Sequence, residues 1–97
     1  MKIQILKNQD GKDSLAVFYC PACRREHPYN INNDNPKHNW SFNNDLDKPS
    51  FTPSLRVLDG KGGTECHLFV TDGIIHYCGD CPHELAGKSV ALPEISE

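Results

Sequence analysis

Cys66-His67-Leu68-Phe69-Val70-Thr71-Asp72-Gly73-Ile74-Ile75-His76-Tyr77-Cys78 contains two alternating runs joined by Asp72-Gly73. A period of two puts every second side chain on one face of a strand, and an Asp-Gly pair accepts the positive φ angles of a type I′ turn. The stretch predicts a β-hairpin with a two-residue loop, in which Thr71 faces Ile74, Phe69 faces His76 and His67 faces Cys78. On this register Cys66 shares a face with Leu68, Val70, Ile75 and Tyr77, and with Cys81 if the strand continues. His67 lies on the other face with His76 and Cys78.

The same period extends outward. Lys2-Ile3-Gln4-Ile5-Leu6 and Leu15-Ala16-Val17-Phe18-Tyr19 flank a turn-rich segment containing Asp10-Gly11 and read as a first hairpin. Short strands are predicted at residues 39–43, 55–58 and 89–92. One helical turn is predicted at His83-Glu84-Leu85-Ala86, stopped by Gly87. Residues 30–39 hold five asparagines and a proline and read as a loop. Residues 44–54 hold two prolines and no sustained period, and read as an ordered loop held by Trp40, Phe42, Leu46 and Phe51. The expected fold is all-β, a single domain over residues 1–93 with a frayed tail at 94–97.

A chain of 97 residues buries only roughly two thirds of the surface it exposes when unfolded, and 37% hydrophobic content makes for a modest core. A staple is physically reasonable, and two Cys-x-x-Cys turns supply one. Tyr19-Cys20-Pro21-Ala22-Cys23 and Tyr77-Cys78-Gly79-Asp80-Cys81 are zinc-ribbon-like knuckles whose thiolates suit a tetrahedral Zn²⁺ ion. The N-terminal residues lack a signal-peptide core and no apolar run approaches the ~20 residues of a membrane span, so the expectation is a soluble cytosolic protein. In that reducing compartment five cysteines and five histidines read as ligands in preference to disulfides. The formal charge of −3 and the scattered basic residues argue against nucleic acid and for a protein partner or protein substrate.

Two ligand sets follow from the spacing. A ribbon uses Cys20, Cys23, Cys78 and Cys81. The alternative keeps Cys20, Cys23 and Cys81 and takes Cys66 or His83 as the fourth group, because the hairpin sets Cys66 beside the second knuckle and His83 lies two residues beyond Cys81. His27, four residues after Cys23, reads as a ligand, a partner of a thiolate, or an ordinary strand residue. His38 and His76 read as surface residues.

A closed four-thiolate site is structural, which makes the first functional expectation a protein-interaction module stabilised by zinc. A site with an open position would allow a zinc-dependent hydrolase or peptidase, with Asp80 or His67 moving the proton. In that case Asn43, Asp45, Ser50, Thr52 and Ser54 would orient the substrate. The bland reading of these five is that they satisfy the backbone of an irregular loop.

The run Trp40-Ser41-Phe42-Asn43-Asn44-Asp45-Leu46-Asp47-Lys48-Pro49-Ser50-Phe51-Thr52-Pro53-Ser54-Leu55, with Cys66-His67-Leu68-Phe69-Val70-Thr71-Asp72-Gly73 and Asp80-Cys81-Pro82-His83-Glu84-Leu85-Ala86-Gly87, resembles a family of small phage and bacterial zinc-binding proteins of unknown function, many labelled ammonia monooxygenase. The resemblance covers residues 19–93. It implies family-type positions at Cys20, Cys23, His27, Cys66, His67, Asp80, Cys81 and His83. It also implies an apolar residue at position 78, which favours Cys66 over Cys78 as the fourth sulfur. The monooxygenase label has no physical support in a chain with neither a membrane segment nor a copper-type histidine cluster. Relatives encoded beside ubiquitin-like conjugation components make a zinc-dependent processing peptidase conceivable.

Overall fold

The computed structural model describes residues 1–32 and 35–95. Short alternating runs, punctuated by glycine, proline and asparagine, favour strands over helices. The chain forms three antiparallel sheets, with nine strands among the described residues. The first sheet is β1 (Gln4–Lys7), β2 (Asp13–Cys20) and β3 (Arg25–Asn30), in that order. β4 (Ser41–Phe42) pairs with β5 (Phe51–Thr52). The third sheet is β6 (Leu55–Leu58), β7 (Thr64–Thr71), β8 (Ile74–Tyr77) and β9 (Ser89–Ala91), also in chain order. None of the described helices is long and apolar enough to cross a membrane.

The hairpin at Asp72-Gly73 has the predicted register, with Thr71 opposite Ile74 and Phe69 opposite His76. Both turn residues have positive φ, 51° and 77°, as a type I′ turn requires. Gly73 is needed for a second reason. A Cβ there would lie 3.2 Å from the Asp47 carbonyl oxygen and 3.3 Å from Lys48 Cα, because the long loop packs directly on the turn. Two contacts seal that packing, the Gly73 N–H donating to Pro49 O at 2.9 Å and the Asp72 N–H to Ser50 Oγ at 2.8 Å, while the Leu92 N–H, just after β9, donates to Gly73 O at 2.9 Å.

The core forms where the three sheets meet. Phe51 is stacked between Tyr29, at 4.0 Å, and Phe42, at 4.8 Å, while Trp40 meets Tyr29 edge-on. Phe18 and Ile3 from the first sheet and Cys66, Leu68, Val70, Ile75 and Tyr77 from the third complete it. The predicted inner face of the hairpin is thus the buried one. Leu46, expected to hold the long loop, is instead exposed, and Pro49 is buried in its place. Leu46 contributes through its backbone, its carbonyl accepting from the Lys2 N–H at 2.8 Å.

β3 has no counterpart in the predicted strands. Pro28 and four charged or ring residues mask its pattern, and it tolerates the proline because it lies at a sheet edge. At the C-terminus, the His83–Gly87 stretch is a hydrogen-bonded turn in which the Ala86 N–H donates to His83 O, and Gly87 has φ 74°. Glu94 and Ile95 fall within the tail read as frayed. Glu94 accepts a hydrogen bond from the N-terminal ammonium at 3.0 Å, and the Ile95 N–H donates to Met1 O at 2.9 Å. Ser96 and Glu97 of that tail, like Asn33 and Asp34 of the asparagine-rich loop, lie outside the described residues.

Candidate active site

β7 carries chemistry on both of its faces. Cys66 points inward and is fully buried, whereas the next residue, His67, points outward with its side chain 27% exposed. On the inner face Cys20, Cys23, His27 and Cys66 offer ligand atoms that all lie within 4.8 Å of one another. β2 delivers Cys20, the following turn Cys23, β3 His27 and β7 Cys66, so the cluster joins the first sheet to the third.

The donor set suits a soft or borderline ion such as zinc. His27 is 1% exposed, yet its Nε2 has no hydrogen-bond partner among the described residues. A buried polar atom in that state costs free energy, and a metal ligand bond would satisfy it. The buried Tyr77 hydroxyl lies 3.2 Å from Cys20 Sγ, and the Cys23 N–H points at the same sulfur from 3.5 Å. The neighbouring Cys66 side chain first, with His27 and Tyr77, draws the Cys20 thiol well below its ordinary value, while burial, then the Cys20 charge, pushes the Cys23 thiol up.

Cys66 also belongs to a second group with Cys81 and His83. His83 Nε2 lies 3.3 Å from Cys66 Sγ, and its ring meets Tyr77 edge-on. Cys81 Sγ is engaged elsewhere, donating to His67 O at 3.0 Å and accepting from the His67 N–H at 3.3 Å. The Cys78 N–H donates to the same carbonyl at 2.9 Å, so the His67 backbone is pinned from two sides. Of the five expected ligands, Cys20, Cys23 and Cys66 come together with His27, while Cys81 and His83 approach the cluster only through Cys66. Cys78 lies on the outer face, away from Cys20 and Cys23.

On that outer face three side chains form a line. Ser54, in the residue before β6, places its Oγ 3.0 Å from His67 Nε2. His67 Nδ1 lies 3.1 Å and 3.2 Å from the two carboxylate oxygens of Asp80. A carboxylate only accepts, so Nδ1 carries the proton and Nε2 is left with a lone pair for the Ser54 hydroxyl. This is the hydrogen-bond pattern of a nucleophile, a general base and an orienting acid.

Ser54 is fixed at its backbone as well, its carbonyl accepting from Trp40 Nε1–H at 3.3 Å. Asn43 and Asp45 serve the loop itself. Asn43 Oδ1 accepts from the Asp45 and Ser50 N–H groups, and Asp45 Oδ1 from those of Asp47 and Lys48.

A family model described as BubE, bacterial ubiquitination-like system serine protease, matches residues 1–78. The chain belongs to the BubE family. No curated protein and no solved structure matches it. The family match ends two residues short of Asp80, so it covers the serine and histidine of the line but not its acid.

Sequence reasoning names His67 and Asp80 as proton movers at a metal and groups Ser54 with the loop polar residues. Nothing in the spacing of a serine and a histidine 13 residues apart marks a pair. Only the β6–β7 register, with Leu55 opposite Leu68, brings them together. The Ser–His–Asp chain order is legible only after the meander is known, and it differs from the orders of the chymotrypsin, subtilisin and α/β-hydrolase triads.

Proposed function

We propose that this BubE-family protein is a serine-type peptidase acting on a protein substrate of a bacterial ubiquitin-like conjugation system. The observation that carries the proposal is the continuous Ser54–His67–Asp80 hydrogen-bond chain, with legs of 3.0 Å and 3.1 Å. Ser54 Oγ attacks the scissile carbonyl carbon as His67 Nε2 takes the hydroxyl proton. Asp80 holds the imidazole in the required tautomer and stabilises the imidazolium. His67 then returns the proton to the leaving amine, and water hydrolyses the acyl-enzyme by the same route. The family description supports both the serine chemistry and the ubiquitin-like context.

In this reading Cys20, Cys23, His27 and Cys66 hold a zinc ion whose contribution is folding free energy, through four protein ligands. The reading thus departs from a zinc-dependent peptidase in its chemistry, and it ranks above a pure interaction module because a binding surface has no need of an aligned nucleophile and base.

The test is a fluorophosphonate probe, which reports an activated serine without knowledge of the substrate. Labelling at Ser54, located by mass spectrometry and abolished by Ser54→Ala and His67→Ala in folded protein, is the expected result. Absence of labelling, or labelling elsewhere, overturns the proposal.

A further inference from the structure

The triad uses two members of a three-residue cluster and leaves the third idle. His67, Cys78 and Asp80 each offer a ligand atom within 4.8 Å of the other two. Cys78 follows β8 directly and lies across from His67, joined to it by the 2.9 Å backbone hydrogen bond. Asp80 follows two residues later. All three are presented by one hairpin and its exit turn, so gathering them around an ion needs little rearrangement. Their donor set is one sulfur, one nitrogen and one oxygen, which suits zinc, and three protein ligands leave a coordination position open to solvent.

We propose that this cluster is a second, inhibitory zinc site on the outer face of β7, separate from the inner cysteine cluster. The inference rests on the serine-peptidase reading for its inhibitory effect, but not for the binding itself. On binding, the Cys78 thiol releases its proton to solvent as the zinc–sulfur bond forms, with no change of oxidation state. The ion blocks catalysis through whichever imidazole nitrogen it takes. Bound at Nδ1, it displaces the N–H that Asp80 accepts; bound at Nε2, it occupies the lone pair that must receive the Ser54 proton. Peptidase activity then becomes sensitive to free zinc, through a residue the chemistry does not require.

The experiment titrates zinc into the protein as purified, reading binding by calorimetry and Ser54 reactivity by fluorophosphonate labelling. A zinc site beyond any metal carried at isolation is expected. It should be retained in Ser54→Ala and lost or weakened about tenfold or more in Cys78→Ser. Labelling of the wild type should slow about tenfold as this site fills and recover on adding a mild chelator. Cys78→Ser should label at the wild-type rate and need at least about tenfold more zinc for the same slowing. Cys78→Ala gives the same comparison if the serine variant does not fold. Absence of the extra site, or equal zinc sensitivity with and without Cys78, overturns the inference. If wild type as purified, with no zinc added, fails to label in the mild chelator, the serine reading is what fails, and the calorimetric comparison still decides whether the site exists.

Discussion

Replacing Asp80 by asparagine removes one charge while keeping the side chain's size, which makes it a sharp probe of the proposed triad. The amide oxygen can still accept from Nδ1–H, but the amide NH₂ can also turn to Nδ1 and select the tautomer in which Nε2 no longer accepts from Ser54. Where the acid of such a triad is buried, the change costs about 10⁴ in rate. Here the Asp80 side chain is 59% exposed. At the 3.1 Å separation from His67, a carboxylate and an imidazolium attract by about 1.3 kcal/mol at the dielectric of water and about 5 kcal/mol at an effective value of 20. Exposure places Asp80 in the lower half of that range, about 1.5–3 kcal/mol. The labelling rate of Asp80→Asn should therefore fall about ten- to a hundredfold. The assay is the second-order rate of fluorophosphonate labelling, with Ser54→Ala as the zero. A rate within about twofold of wild type means Asp80 does not orient His67; a loss as complete as that of Ser54→Ala means the solvent-screening argument is wrong.

Three further outcomes follow from the same contacts. Chelation of the metal proposed for the inner cluster should lower the melting temperature by about 10 °C or more, since the four side chains that would hold it come from two sheets; a melt unchanged after the metal is shown to be gone removes it from the folding argument. Tyr77→Phe deletes the hydroxyl that lies 3.2 Å from Cys20 Sγ and keeps the ring packed, so zinc affinity measured against a chromophoric chelator should drop about ten- to a hundredfold. Phe51→Ala empties the slot between Tyr29 and Phe42 and should cost about 3–5 kcal/mol in urea unfolding, and a cost under about 1 kcal/mol would mean that the stack is not the core.

The hairpin centred on Asp72-Gly73 is legible in the sequence because its register follows from a two-residue loop and period-two alternation, both local properties. The buried face of Cys66 follows from the same arithmetic. β3 is illegible because Pro28 interrupts the pattern, and only the sheet-edge position of the strand makes the proline acceptable. The proposed role of Ser54 is illegible for a different reason. Its neighbours Asn43 and Asp45 are equally polar and do serve the loop, and what sets Ser54 apart is a non-local pairing between β6 and β7. The closeness of Cys20 and Cys23 is readable from their Cys-x-x-Cys spacing, but the second such spacing does not join that cluster, and the place of His27 in it depends on β3 pairing with β2, which sets His27 opposite Phe18.

Cys66 and His67 are consecutive residues on opposite faces of one strand. An insertion or deletion of a single residue within β7 exchanges those faces, turning a sulfur toward Ser54 and an imidazole toward the cysteine cluster. Both centres are lost in one step, and no compensating substitution at a single position restores them. Variation in chain length among relatives should therefore avoid β7 and collect in the turn before it. There Gly60 and Gly62 have open space around them, and added residues displace neither centre.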